Sequence, residues 1–130
     1  MNIMVGYDQS NVAKEALVLA KKHAKAFDAK VHLLTALAQG PDLKLEDIQK
    51  TEQELERLRI SFKEDGISCE THAIVSSLSP GEDLVQFAQE NEIDEIVIGV
   101  RRRSKVGKLL FGSNAQYIIL QSPCPVVAVR

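Results

Sequence analysis

The sequence has few of the residues that would indicate a disulfide-linked, metal-bound or membrane-spanning protein. It contains two cysteines, Cys69 and Cys124, no tryptophan and only 5% aromatic residues. Two distant cysteines are too few for a disulfide framework or a four-ligand zinc site, so we expect both to be buried, small apolar side chains. No apolar run approaches the ~18 residues of a membrane helix, and the first residues lack the basic segment of a signal peptide. We therefore expect a soluble, cytoplasmic protein without membrane association.

Net charge is also small, at -2 with 26% charged residues. This balance gives no global reason to expect a nucleic-acid partner, so any attraction for anions must be local. His23, His32 and His72 lie on different predicted elements, without the spacing of metal ligands. We therefore predict no metal site and assign them ordinary surface or core roles. The length of 130 residues fits one compact domain, residues 1–130.

Short β-branched runs alternate with longer segments of helical periodicity. This alternation is typical of repeated βα units around a parallel sheet. Each short run is nearly continuous in Ile, Val, Leu or Ala, as expected of strands covered by helices on both faces. The predicted strands are residues 2–7, 30–36, 68–75, 95–99 and 126–129.

Helix ends are marked by capping residues. The first helix follows Ser10, an N-cap, and the second spans about residues 43–65 and stops at Gly66. The third begins with a capping box of Ser79 and Glu82, and we predict a similar box at the start of the fourth, made by Ser113 and Gln116. The face that the first helix turns to the sheet is predicted to carry Ala13, Leu17, Ala20, Ala24 and Phe27.

A basic, glycine-bounded loop follows the fourth strand, where an open parallel sheet binds its ligands. Glycine, a helix N-terminus and basic side chains together favour a phosphate chain. Each feature also has a structural explanation: Ser113 as a cap, Gly112 as a tight turn, the charges as a solvated loop, and Asp8 as a partner for turn amides. The loop runs from Gly99 through Arg101, Arg102, Arg103, Lys105 and Lys108 to Gly112 and Ser113.

The segments MVGYDQS, EIVIGVRRRSKVGKLLFGSNAQYII and SPCPVVAVR resemble the universal stress protein family, and the resemblance covers essentially the whole chain. It implies a single-domain, Rossmann-like α/β fold of the adenine nucleotide alpha hydrolase-like type, with a five-stranded parallel sheet of order 3-2-1-4-5 and four helices. Members are commonly homodimers, here through the C-terminal strand Val126 to Val129. Many bind ATP, and others do not.

In the nucleotide-binding members the loop reads Gly, two residues, Gly, nine residues, then Gly with Ser or Thr. This chain has Gly99, Arg102 in the middle place, and Gly112 with Ser113. An arginine there either fills the space where backbone meets phosphate or grips the phosphates itself. The resemblance implies that Asp8 and the backbone of Ala36 lie near the adenosine, with Gly112, Ser113 and Asn114 near ribose and phosphates.

We therefore expect a regulatory or stress-resistance protein that binds ATP, or AMP or ADP, with Mg²⁺ as the accompanying ion. The alternative is a homodimeric interaction module with a vestigial pocket. Catalysis is not expected, because Asp8 is the sole credible base, although slow ATP hydrolysis remains open. Specific nucleic-acid recognition is not expected. The predicted binding residues are Asp8, Ala36, Gly99, Arg101, Arg102, Arg103, Gly112, Ser113 and Asn114.

Overall fold

A computed structural model describes residues 1–100 and 112–130 of the chain. Within these residues, strands and helices alternate as the sequence predicts, and the predicted strand bounds differ from the observed ones by two residues at most. The elements are β1 Asn2–Gly6, α1 Asn11–Phe27, β2 Lys30–Ala38, α2 Leu45–Glu64, β3 Cys69–Ser76, α3 Pro80–Glu90, β4 Glu95–Gly99, α4 Ser113–Gln121 and β5 Val126–Val129.

All five strands pair in parallel, in the order β3-β2-β1-β4-β5. The central strand β1 pairs with both β2 and β4, so that Ile3 lies opposite Val31 on one side and Glu95 on the other. This order confirms the predicted Rossmann-like sheet. The direction of winding reverses between β1 and β4, which makes their carboxyl ends the expected position of a site.

Two apolar layers enclose the sheet. On one face, α1 and α2 pack with Leu17, Leu55 and Phe62 onto the buried side of β1 and β2. On the other face, α3 and α4 pack with Leu84 and Ile118 against the opposite side of the sheet. Strands buried on both faces need the continuous apolar runs that the sequence contains.

The predicted apolar face of α1 is wrong at its last member. Phe27 is 53% exposed, whereas the buried residues of the helix end at Ala24. The helix ends one turn beyond the last residue that packs on the sheet, and the Phe27 ring instead lies edge-on against His23, with centroids 5.6 Å apart. On α2, Thr51, Leu55, Leu58 and Phe62 are buried.

The capping predictions hold for α1 and α3. Ser10 Oγ accepts a hydrogen bond from Ala13 N at 3.1 Å, and Ser79 forms the predicted box with Glu82. The prediction for α4 is wrong: the N-cap is Gly112, no side chain of residues 1–100 or 112–130 caps the helix, and Ser113 is its first helical residue. The helix begins one residue earlier than expected, because Gly112 O already accepts a bond from Gln116 N at 3.0 Å.

Both cysteines are free, and each is partly rather than fully buried. Burial raises the pKa of the Cys69 thiol to about 12. None of the helices in the described ranges is long and apolar enough to cross a membrane.

Candidate functional site

A crevice opens at the carboxyl ends of β1 and β4, where the winding of the sheet reverses. It consists of an inner cavity of about 220 Å³ and an outer cavity of about 340 Å³, which share Asp8, Gly99, Asn114 and Ala115 as walls. The inner cavity has an apolar wall that comprises Leu34, Leu84, Ile98 and Ile118. The outer cavity is bordered by Gly112 and Ser113.

Three helices begin at this crevice. The first turns of α1, α3 and α4 contribute Ala13, Gly81 and Asn114 to its walls. Helix N-termini carry unsatisfied N–H groups and the positive end of the helix dipole, so their convergence favours a negatively charged group. The α1 and α3 termini are satisfied in part by their own serines, whereas no side chain of the described residues caps α4. The α4 terminus is therefore the best anion-binding position of the three.

Asp8 lies where β1 turns into α1. Its Oδ1 accepts a hydrogen bond from Ser10 N at 3.0 Å, which is the turn-forming role that the sequence allows. The intervening Gln9 has a φ of 66°, in the left-handed region that non-glycine residues rarely adopt. Asp8 also lines both cavities. The two readings of Asp8 are therefore compatible, since the turn holds the carboxylate at the crevice.

Asn114 has a role that the sequence did not reveal. Its side-chain Oδ1 accepts a hydrogen bond from Gly81 N at 3.0 Å, so a residue of α4 satisfies an amide in the first turn of α3. The two helix starts touch here, because a Cβ on Gly81 would lie 3.1 Å from Asn114 O. Asn114 thus links the N-termini of α3 and α4 by a hydrogen bond at the crevice wall.

The two glycines that frame the basic loop differ in what requires them. A Cβ on Gly99 would lie 2.6 Å from the backbone C and O atoms of Val12, so the close approach of α1 to β4 requires a glycine. Gly112 has an ordinary φ of -61°. No described atom lies within 4 Å of where its Cβ would be. Neither backbone conformation nor packing among the described residues requires a glycine at 112.

The remaining predicted site residues divide into two groups. Ala36 follows the buried part of β2 and lines the inner cavity, as the predicted adenosine contact requires. Arg101, Arg102 and Arg103 lie outside the described residues, so whether Arg102 fills the phosphate position or grips the phosphate stays a prediction.

Two of the histidines come together although their spacing along the chain is not that of metal ligands. They are on different strands, as expected, but the parallel pairing of β2 with β3 puts His32 opposite Glu70 and Leu34 opposite His72. His32 and His72 therefore point to the same face and stack, with ring centroids 5.6 Å apart. Spacing along the chain cannot reveal a cluster that strand register creates.

The comparisons with known proteins agree with this architecture. The family model described as the universal stress protein family matches residues 1–130. A universal stress protein of Thermus aquaticus is 31% identical to this chain over 140 aligned residues, which cover 98% of the chain and 97% of that protein.

Solved structures give the same result. A universal stress protein from Archaeoglobus fulgidus superposes with a TM-score of 0.86 at 32% identity, covering 100% of this chain and 93% of that one. A structure from the same organism in complex with dAMP has a TM-score of 0.83 at 30% identity, covering 100% and 98%. Because the family model matches residues 1–130 and relatives at least 30% identical cover nearly all of the sequence, the chain belongs to the universal stress protein family.

Proposed function

We propose that this protein binds an adenine nucleotide in the crevice, with the base and ribose in the inner cavity and the phosphates at the start of α4. ATP is the leading candidate, and AMP and ADP are the alternatives. The observation that carries the proposal is Gly112, a glycine that neither its φ nor described neighbours require. Among the described residues nothing occupies the space above its backbone, which lies at a helix N-terminus that no described side chain caps. A phosphate oxygen can approach the amides closely there.

The inner cavity fits the other end of the ligand. Leu34, Leu84 and Ile118 supply apolar surface for a flat base, and Asp8 supplies a carboxylate for a ribose hydroxyl or for Mg²⁺. A relative of known structure was solved in complex with dAMP, and it superposes on 100% of this chain. That complex supports an adenine nucleotide as the ligand class.

Nucleotide binding can be tested by mass spectrometry of small molecules released from freshly purified protein, followed by calorimetric titration of ATP, ADP and AMP with and without Mg²⁺. Gly112→Val should abolish binding, because its side chain would occupy the phosphate position. Gly40→Val is the matched control, since Gly40 also has open space at its Cβ but lines neither cavity. Wild-type protein that neither carries nor binds nucleotide would refute the proposal.

Arg102→Gly separates the two possible roles of the arginine. If Arg102 grips the phosphates, the glycine variant binds ATP more weakly than wild type. If Arg102 obstructs the phosphate position, the glycine variant binds ATP more tightly.

We propose a binding and regulatory role rather than catalysis. Among the described residues that line the crevice, Asp8 is the one carboxylate, and its Oδ1 already accepts from Ser10 N. A carboxylate that is held by a turn amide is a poor general base for phosphoryl transfer. ATP turnover that disappears in Asp8→Asn would contradict this. The free cysteines fit the reducing cytoplasm, which we propose as the protein's location.

We also propose a homodimer through the C-terminal strand Val126–Val129. This strand is an edge of the sheet, and the adjoining α4 exposes Leu120 (77%) and Ile119 (42%). Pro125 O accepts a hydrogen bond from Ile96 N of β4, and Val129 O accepts one from Val100 N, directly after β4. Because alternate residues of a strand face opposite edges, the N–H of Ala128 points away from the sheet. Ala128→Pro removes that outward donor without removing a bond to β4. We expect the wild type to sediment as a dimer at micromolar concentration and the variant as a monomer; a monomeric wild type contradicts the proposal.

A further inference from the structure

A second cluster of polar groups lies away from the crevice, on the α3 side of the sheet near the edge strand β3. It consists of His32 on β2 and of Glu70 and His72 on β3. His32 is opposite Glu70 in the strand pairing. Phe87 of α3 packs against both imidazoles, with ring centroids 5.7 Å from His32 and 4.7 Å from His72. The strands set the positions of these side chains, and the phenylalanine holds the rings in place.

The three groups direct one potential ligand atom each toward a common point. His32 Nδ1 lies 3.4 Å from His72 Nε2 and 3.6 Å from Glu70 Oε2, and His72 Nε2 lies 3.8 Å from the same oxygen. All three separations are longer than an ordinary hydrogen bond. Ligands bound at the usual zinc distances in a tetrahedron are about 3.4 Å apart. The triangle of atoms is therefore close to one face of such a tetrahedron.

We propose that His32, Glu70 and His72 bind a divalent transition-metal ion, with Zn²⁺ the best match to the ligand set. Two imidazoles and one carboxylate suit zinc, whereas Mg²⁺ and Ca²⁺ prefer oxygen ligands alone. Three protein ligands leave a fourth position, which solvent can reach because the side chains of Glu70 and His72 are 51% and 31% exposed. A water molecule completes the coordination there.

A lysine positions the carboxylate of this cluster. Lys30 Nζ donates to Glu70 Oε1 at 2.6 Å. Because Lys30 engages Oε1, it leaves Oε2 facing the two imidazoles. The lysine therefore orients the carboxylate as an ionised ligand.

Metal binding here would join β3 to β2. None of the three ligands lines the crevice, so the site does not depend on nucleotide. An ion that binds the folded chain and not the unfolded one raises the stability of the fold in proportion to the logarithm of its concentration. We therefore expect the melting temperature to rise with Zn²⁺, because the ion links the edge strand β3 to β2.

The test uses untagged, metal-free protein titrated with Zn²⁺ by calorimetry and with Co²⁺ by visible absorption. We expect one equivalent to bind and the melting temperature to rise. His72→Gln and Glu70→Gln should each weaken binding by at least about tenfold. His23→Gln is the matched control, because His23 also contacts a carboxylate, Glu95 Oε1 at 2.6 Å, but has no second imidazole beside it among the described residues.

Several results would overturn the assignment. They are the absence of saturable binding of one equivalent by wild type, wild-type affinity in either variant of the cluster, or loss of binding in His23→Gln. A thiolate charge-transfer band in the Co²⁺ spectrum would also overturn it, because it would assign the ion to Cys69 or Cys124. Should His72→Gln fold poorly, Glu70→Gln decides the question, since its side chain is half exposed.

Discussion

Replacement of Gly99 by alanine tests whether the close approach of α1 to β4 determines the identity of this residue. The added Cβ would lie 2.6 Å from Val12 C and O and 2.8 Å from Ala13 N. These are backbone atoms in the first turn of α1, so no side-chain rotation relieves the contact. The helix start must move away from the sheet, or β4 must move away from the helix.

The size of the effect follows from two opposing contributions. Overpacking of this kind costs about 1–3 kcal/mol. Alanine also restricts the unfolded chain, which returns about 0.4–1 kcal/mol. We expect a net loss of about 1.3 kcal/mol in the free energy of unfolding, or about 5 °C in melting temperature for a chain of this length.

The assay is urea unfolding of nucleotide-free protein, followed by circular dichroism. Gly40→Ala is the matched control, because Gly40 has no atom within 4 Å of its Cβ position and no left-handed φ. We expect the control to lie within about 0.5 kcal/mol of wild type or slightly above it. If Gly99→Ala is as stable as Gly40→Ala, the packing argument for Gly99 is refuted.

Two further predictions concern Asn114 and Cys69. Asn114→Ala removes the acceptor for Gly81 N and should lower the free energy of unfolding in urea by about 1 kcal/mol. Asn114→Asp keeps the acceptor, so it should retain the stability of wild type while it weakens ATP binding. Equal stability of wild type and the alanine variant would contradict this prediction. Because burial raises the Cys69 thiol pKa to about 12, its protonated form persists at pH 8, and a thiol reagent should modify it slowly until urea unfolds the chain. The unfolded thiol ionises near pH 9 and the folded one near pH 12, so the free energy of unfolding should fall as pH rises from about 9 toward 12. Rapid native-state labelling of Cys69, mapped by mass spectrometry with Cys124→Ser as background, would show the prediction to be wrong.

The fold was largely predictable because the relevant signals are local. Runs of β-branched residues mark strands that are buried on both faces, and the capping box at Ser79 marks the start of α3 independently of the rest of the molecule. Asp8 could be placed because an open parallel sheet directs its strand ends to one edge, whereas Ala36 was placed by the resemblance to the universal stress protein family.

The errors arise where distant residues decide the outcome. Ser113 is a residue type typical of an N-cap, yet Gly112 takes the N-cap position and Ser113 is already the first helical residue. A shift of one residue changes which group faces the helix end. Phe27 continues the spacing of an apolar stripe, but it lies beyond Ala24, the last buried residue of α1, and is exposed. The Asn114 contact with Gly81 spans 33 residues and depends on how two helices meet.

The position of β1 in the sheet also has a consequence for synthesis of the chain. Ile3 pairs with Val31 on one side, and this pairing can form once about thirty residues of the chain have been synthesised. Its neighbour on the other side is Glu95, which is synthesised much later. A nascent chain that has completed only β1, β2 and β3 therefore carries a strand that will become central but has one edge open. Open apolar edges are where chains associate wrongly. We expect ribosome-bound fragments that stop before residue 95 to need a chaperone, and those that include β4 to need it less.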